Sequence, residues 1–359
     1  MTGRARFVCS VVLLAIAGAF LTFAQPARGE IMYTVTDLGT LGGSGSVATG
    51  INDSGQIVGR AATTTGDYHA FLYTGGVMQD LGTLGGTNSR AYGINDAGQI
   101  VGDAATATGQ SHAFIFSSGL MQDLGTLGGP TSRAYGINVA GQVVGLSYLS
   151  NGDYRAFLYS GGQMQDIGAG WTTQANAINN IGQIVGDFPS GAYGHAYIYS
   201  GGMFQDLGAP TGYVSFSCWP NGINDAGQVV GGISTGNAHA FLYSGGQMMD
   251  LGNLGAIYCE ALGINNAGQV VGDFGNHIDN HAFLYNGSNM VDLNTLIDPS
   301  SGWTLQDANS INNLGQIVGN GTNSAGQDDA FLLTPTPEPA TLTMLAVGAM
   351  IMLRKRNNT

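Results

Sequence analysis

Between residues 30 and 339 the chain has no lysine. Its only cations there are Arg60, Arg90, Arg133 and Arg155, set against all 23 acids, a charge of −19 for that stretch. Such a body repels phosphate backbones and anionic lipid surfaces, which excludes nucleic acid as a partner. Proline is scarce, at 9 of 359 residues, and no part of the body shows a helical hydrophobic period. Of three cysteines, Cys9 lies near the N-terminus, leaving Cys218 and Cys259 in the body. What the chain does have is glycine, 60 residues without a three-residue period, which argues for tight turns and against collagen. A hydrophobic content of 43% is enough for a packed core.

One segment recurs seven times, first as Gly50-Ile51-Asn52-Asp53-Ser54-Gly55-Gln56-Ile57-Val58-Gly59. Its isoleucine returns at Ile94, Ile137, Ile178, Ile223, Ile264 and Ile311, a period of about 43 residues that suits four-stranded propeller blades. Each copy splits into four strand-like pieces. Gly- and Asn-rich hairpin turns separate them, because those residues tolerate positive φ. The chain enters on a fourth piece, Tyr33 to Gly39, and leaves on a third, Asp329 to Leu333. A propeller ring closed by its N-terminal strand has this phase; an open solenoid has no reason for it and would need caps. The expectation is an all-β, seven-bladed β-propeller over residues 30–334, with four antiparallel strands per blade.

The pattern of DLGTLGG, GINDxGQxVG and HAFLY, with triplets such as His69-Ala70-Phe71, resembles the extracellular HAF-repeat proteins over nearly all of residues 33–334. The resemblance implies export and surface association, and carries no assigned catalytic residues. Arg155 and Asp329 replace the histidine in two copies, and Tyr197 replaces the phenylalanine in one.

Both ends read as addresses. Residues 1–29 have a secretory layout: Arg4 and Arg6, an apolar run from Phe7 to Ala24, then small-residue cleavage options. An uncleaved signal anchor is the alternative. At residues 335–359, Pro337-Glu338-Pro339 precedes an apolar run, Ala340 to Leu353, and the cluster Arg354-Lys355-Arg356. Fourteen helical residues span about 21 Å, a short transmembrane segment, and the cations would stay cytoplasmic. This tail resembles the PEP-CTERM sorting signal. That implies an exosortase-type enzyme as partner, removal of the tail, and a destination at the cell surface or polysaccharide matrix. A plain C-terminal anchor would give the same topology.

Candidate chemistry is sparse. Cys218 and Cys259 each lie five residues before a repeat isoleucine, where other copies hold Ser46, Ser89, Ser132 and Thr173. In an exported protein, equivalent positions in adjacent blades suggest a disulfide, with two separate buried thiols as the alternative. Seven repeated aspartates (Asp37, Asp80, Asp123, Asp166, Asp206, Asp250 and Asp292) form a candidate calcium ring. The favoured reading makes each an acceptor for turn amides or a HAF histidine. His277, Asp279 and His281 are a weak metal candidate, sharing one face if extended. Gly232-Ile233-Ser234-Thr235-Gly236 matches a hydrolase pattern but lacks the following helix.

No catalytic or cofactor-binding residue is assigned. Trp171, Trp219 and Trp303, each shortly before an Ile-Asn segment, form a candidate sugar platform on one ring face. The leading expectation is a structural or binding protein with polysaccharide as ligand. The alternative is a hydrolase or lyase acting on an extracellular polymer, for which Glu260 and His277 are the pair to bring together.

Overall fold

Every copy of the Asn-x-x-Gly-Gln segment makes the same turn. In the first, the Asn52 amide donates to the Gln56 carbonyl at 3.1 Å and the Gly55 amide returns to the Asn52 carbonyl at 3.0 Å. Gly55 sits at φ +73°, a left-handed conformation that glycine adopts without strain. These turns join the first and second strands of each repeat. The structure, a computed structural model, describes residues 32–336 except 191–192, 211–215, 235 and 277. It contains 28 strands, β1 to β28 in chain order, and no α-helix among the described residues.

The strands form seven four-stranded antiparallel sheets, six of them consecutive along the chain. The seventh has the order β1-β28-β27-β26, so β1 (Tyr33–Asp37) completes the blade of β26 (Thr304–Ile311), β27 (Ile317–Thr322) and β28 (Asp328–Pro335). Tyr33 pairs with Pro335 and Asp37 with Phe331. The protein is therefore a seven-bladed β-propeller closed by its N-terminal strand.

The core lies between blades. One cluster joins Ala48, Ile51, Ile57 and Phe71 of the first blade to Val318 and Ala330 of the last. The HAF aromatic is wholly buried in every copy, and its ring packs on the glycine that ends the second-strand motif. A Cβ on Gly102 would run into both the Phe114 ring and the Arg90 carbonyl oxygen, which is why that glycine recurs. Where Tyr197 replaces the phenylalanine, its hydroxyl donates to the Gln174 carbonyl at 2.9 Å, so the added polar atom is satisfied.

The repeated asparagine has a role that no other side chain could fill. Asn52 donates through Nδ2 to Gln56 Oε1 at 2.8 Å and to the Asn95 carbonyl at 3.0 Å, while its Oδ1 accepts the Ser54 and Gln56 amides. Two donors and two acceptors on one short side chain describe asparagine; aspartate has no donors. The same inter-blade bond runs from Asn95, Asn138, Asn179, Asn224 and Asn265 to the next blade, and Asn312 returns it to Asn52. Seven bonds thus close a circle around the axis.

The aspartate column is structural, as the sequence suggests. Each Oδ1 caps a backbone amide two residues on, as Asp80 does with Gly82 at 2.7 Å. Five of these aspartates also take Nδ1 of a HAF histidine, at 2.8 Å for His69 and Asp80.

Candidate functional site

The Asn circle surrounds the axis of the ring. The first strand of each repeat is the innermost, and all seven end at one mouth, where a cavity of about 190 Å³ is lined by the Ile-Asn segments. A second cavity, of about 450 Å³, is lined by the same strands two residues before their repeat isoleucines. The two cavities share no lining residue.

Each inner strand carries a β-bulge at the same place, for example between Ala91 and Gly93 in β6 (Gly85–Ile94). The residue each bulge leaves unpaired faces the larger cavity: Thr49, Tyr92, Tyr135, Asn176, Asn221, Leu262 and Asn309. Bulges often re-aim a side chain in this way next to binding sites. Two residues earlier stand Val47, Arg90, Arg133, Gln174, Trp219, Glu260 and Asp307. This column differs in every blade except for its two adjacent arginines, while the Asn and HAF columns barely vary. Function in a repeat protein resides where the repeats diverge, and here they diverge around one mouth.

The mouth is electrically lopsided. Arg60 and Arg90 line an adjoining cavity of about 220 Å³ with Tyr92 and Thr49. Arg133 follows on the next blade, beside Tyr135, and the Tyr92 and Tyr135 rings meet edge to face at 5.3 Å. Asp103 shares the blade of Arg90, whereas Asp187, Glu260, Asp273 and Asp307 lie on other blades. Glu260, the only glutamate among the described residues, accepts from Trp219 Nε1 and Asn221 Nδ2, each at 2.6 Å, and from the Tyr258 hydroxyl. Its strand partner Asp273 is buried. Burial first, then the charges of Asp307 and Glu260, push its carboxyl up to about 8, so it is protonated at neutral pH. Burial also raises Asp307 and Asp187, each opposed by side-chain amide donors. Asp103, Asp187, Asp273 and Asp307 all lie outside the turn column, and a search among loops overlooks them.

The tryptophans do not form one platform. Trp219 belongs to the axial cavity, and Trp303 packs against Phe331 at 6.1 Å. Trp171 is exposed beside Phe188, in an apolar cavity of about 250 Å³ with Phe204. In the first three blades a leucine of the LGTLGG loop (Leu41, Leu84, Leu127) packs against the core; the loop before Trp171 has no such leucine.

The cysteine bridge is also corrected: Cys218 and Cys259 are free and buried. Each holds the place of the serine column, whose hydroxyl accepts an amide of the preceding blade, as Ser89 does from Ala70 at 2.8 Å. Cys218 does this with Ala196 and Cys259 with Ala240, so each thiol is directed at its own neighbour and not at the other.

Of the metal candidate, His277 lies outside the described residues, so its approach to Glu260 does too. Asp279 stands 3.9 Å from His281 Nε2, and His281 Nδ1 is committed to Asp292 at 2.8 Å. No group of three metal-ligating side chains occurs among the described residues. Ser234 ends one strand, Val229–Ser234, and the next, Ala238–Ser244, follows at once, so no hydrolase elbow forms there. Residues 1–29 and Pro337-Glu338-Pro339 lie outside the described residues, and within these no helix is long and apolar enough to cross a membrane.

No family model and no curated protein matches the chain. Solved propellers do. An oligogalacturonate lyase from Vibrio parahaemolyticus aligns with a TM-score of 0.53 at 11% identity, over 87% of this chain and 95% of that one. The β-propeller domain of a trilobed protease from Pyrococcus furiosus aligns with a TM-score of 0.52 at 13% identity, covering 69% and 84%. A prolyl endopeptidase gives a TM-score of 0.54 at 10% identity, over 82% of this chain and 51% of its own length. At such identities the likeness establishes the class, a β-propeller, and nothing of its chemistry.

Proposed function

We propose that the chain is an exported surface or matrix protein that binds polysaccharide at the larger axial mouth. The observation that carries this is the concentration of blade-to-blade variation there. In a framework otherwise repeated seven times, Gln174 and Trp219 line one concave opening with Tyr92 and Tyr135, Arg90 lines the cavity that adjoins it, and Arg133 is hydrogen-bonded to Tyr135. Aromatic faces, amides and a few charges in a cavity of about 450 Å³ are what sugar recognition needs. The signal-like N-terminus and the Pro337-Glu338-Pro339 tail support export and sorting by an exosortase-type enzyme, with cleavage of the tail. The test is saturable binding of the protein to polysaccharide from its source cells, with and without calcium. Absence of binding in both conditions would reject the reading.

A second reading, a hydrolase or lyase acting on a polymer, draws on one pair. Asp273, whose carboxyl burial raises to about 8, lies opposite Glu260 in the strand pair. Against it, all three donors to Glu260 already occupy its oxygens. Chain shortening of the bound polysaccharide that Asp273→Asn abolishes would establish it.

A further inference from the structure

Four arginines occur among the described residues, and only one of them has a carboxylate within ion-pair distance. Arg155 is buried, with Asp153 at 3.6 Å and Asp166 at 4.0 Å. Arg60 lies over the Tyr68 ring at 5.4 Å, while Arg90, which lines the cavity adjoining the axial mouth, and Arg133, hydrogen-bonded to Tyr135, are exposed. None of these three makes an ion pair within the described residues, although acids far outnumber cations in the body. Three guanidiniums on consecutive blades thus lack a salt bridge, although the Asp103 charge acts on Arg133 through space. A carboxylate close at hand, Asp103, is the strand partner of Arg90. It is buried and takes the Ser111 hydroxyl at 2.6 Å instead.

From this we infer that the larger axial mouth binds a carboxylate-bearing sugar, a uronate at the end of a saccharide chain, with Arg90, Arg133 and Arg60 on the carboxylate and the Tyr92–Tyr135 pair against the ring. The inference rests on the reading of this mouth as a saccharide site and specifies its ligand. Guanidinium offers carboxylate two parallel hydrogen bonds, which a hydroxyl cannot match. The other blades add neutral partners: the amides of Gln174, Asn176, Asn221 and Asn309 line the cavity. Glu260 already accepts three donors, Trp219 and Asn221 on one oxygen and the Tyr258 hydroxyl on the other. The cavity holding Arg60 and Arg90 adjoins the one holding the tyrosines through Thr49 and Tyr92, so one ring can reach both.

Titration calorimetry of the full chain tests this with three probes of equal length: an oligomannuronate, its carboxyl-reduced neutral form, and a sulfated dextran. The oligomannuronate is expected to bind at least ten-fold more tightly than the neutral form, and more weakly as salt rises. It should also outbind the sulfated dextran. Arg90→Gln with Arg133→Gln is expected to lower its affinity at least ten-fold, with an unchanged melting curve. Equal binding of charged and neutral forms would overturn the uronate assignment and leave the saccharide site standing. Tighter binding of the sulfated chain would replace carboxylate by sulfate. If no probe binds, and polysaccharide from the source cells does not bind either, the site itself is lost. A double variant that melts early is replaced by Arg90→Lys, which keeps the charge, removes the fork, and should still weaken uronate binding several-fold.

Discussion

Asn312 donates its side-chain amide to the carbonyl oxygen of Asn52 at 3.0 Å, joining residues 260 positions apart in the chain. It is the seventh bond of the axial circle and the only one in it that spans the junction between the last and first repeats. Replacing Asn312 by alanine leaves a buried carbonyl and the Gln316 side chain without their donor. A loss of about 1–3 kcal/mol in urea unfolding is expected. Asn179→Ala removes the same set of bonds between neighbouring repeats and should cost the same within about 0.5 kcal/mol. A much larger effect at Asn312 would show that the junction is weaker than the other blade contacts.

Val139 interrupts a second circle. At the position after each ring asparagine, a backbone amide donates to the Asp or Asn side chain of the next blade, as Asp53 does to Asp96 at 3.0 Å and Asn313 to Asp53 at 2.8 Å. Valine has no acceptor for the Asp96 amide, and it is 48% exposed, so little burial is lost by changing it. Val139→Asn is expected to stabilise the protein by about 0.5–1 kcal/mol, seen as a higher melting temperature.

Asp329 stands where five blades have histidine. Asn323 Nδ2 bridges it to Asp37, at 3.0 and 3.2 Å, while Asp329 Oδ1 is buried without a hydrogen-bond partner. Burial, Asp37 and Asp328 raise its pKa. Asp329→His would give Asp37 the partner found in the other blades, and a higher melting temperature at pH 7 is the expected result.

Asp273 makes stability depend on pH. Its carboxyl holds its proton up to about 8 in the fold but loses it near 3.8 when unfolded. Between these values the folded state carries more protons than the unfolded one, so this group's contribution falls as pH rises from about 4 to about 8. Asp273→Asn should remove that fall: its unfolding midpoint would exceed that of the parent protein at pH 8 and approach it at pH 4. Parallel profiles for the two proteins would contradict the assignment.

The cysteines give a direct chemical check. Burial pushes both thiols up to about 12, so neither is nucleophilic in the fold. Mass spectrometry after alkylation without reductant should find both blocked in urea and neither in buffer. Cys218→Ser restores the column's usual acceptor and is expected to change stability by less than about 1 kcal/mol.

Repetition made the framework readable. The period, the four pieces, the split last repeat and the pairing of aspartates with HAF histidines all follow from comparing equivalent positions. The candidate site was hidden for a related reason. Alternation along a strand says which residues share a face, but the bulge before each repeat isoleucine resets that alternation, and only the structure shows that Tyr92 and Tyr135 face the axis. The variation at Arg90, Arg133, Trp219 and Glu260 was visible in the sequence, one column outside the loops that drew attention to His277 and Trp171. The cysteines illustrate a further limit. Equivalent positions in adjacent blades establish neighbourhood, whereas bonding needs a distance and a direction, and the thiols point to Ala196 and Ala240.

The closure by β1 also sets how the ring answers a pull. Because Tyr33 lies opposite Pro335, and Met32 accepts the Thr336 amide at 2.8 Å, both flanks of the body leave from one corner of the outermost strand pair. Tension between the two flanks would peel that pair open one rung at a time, the weakest way to load an antiparallel ladder. A leash on the C-terminal side alone transmits no such tension across the seam. Held by one flank at its rim, the ring would keep its blades locked under drag.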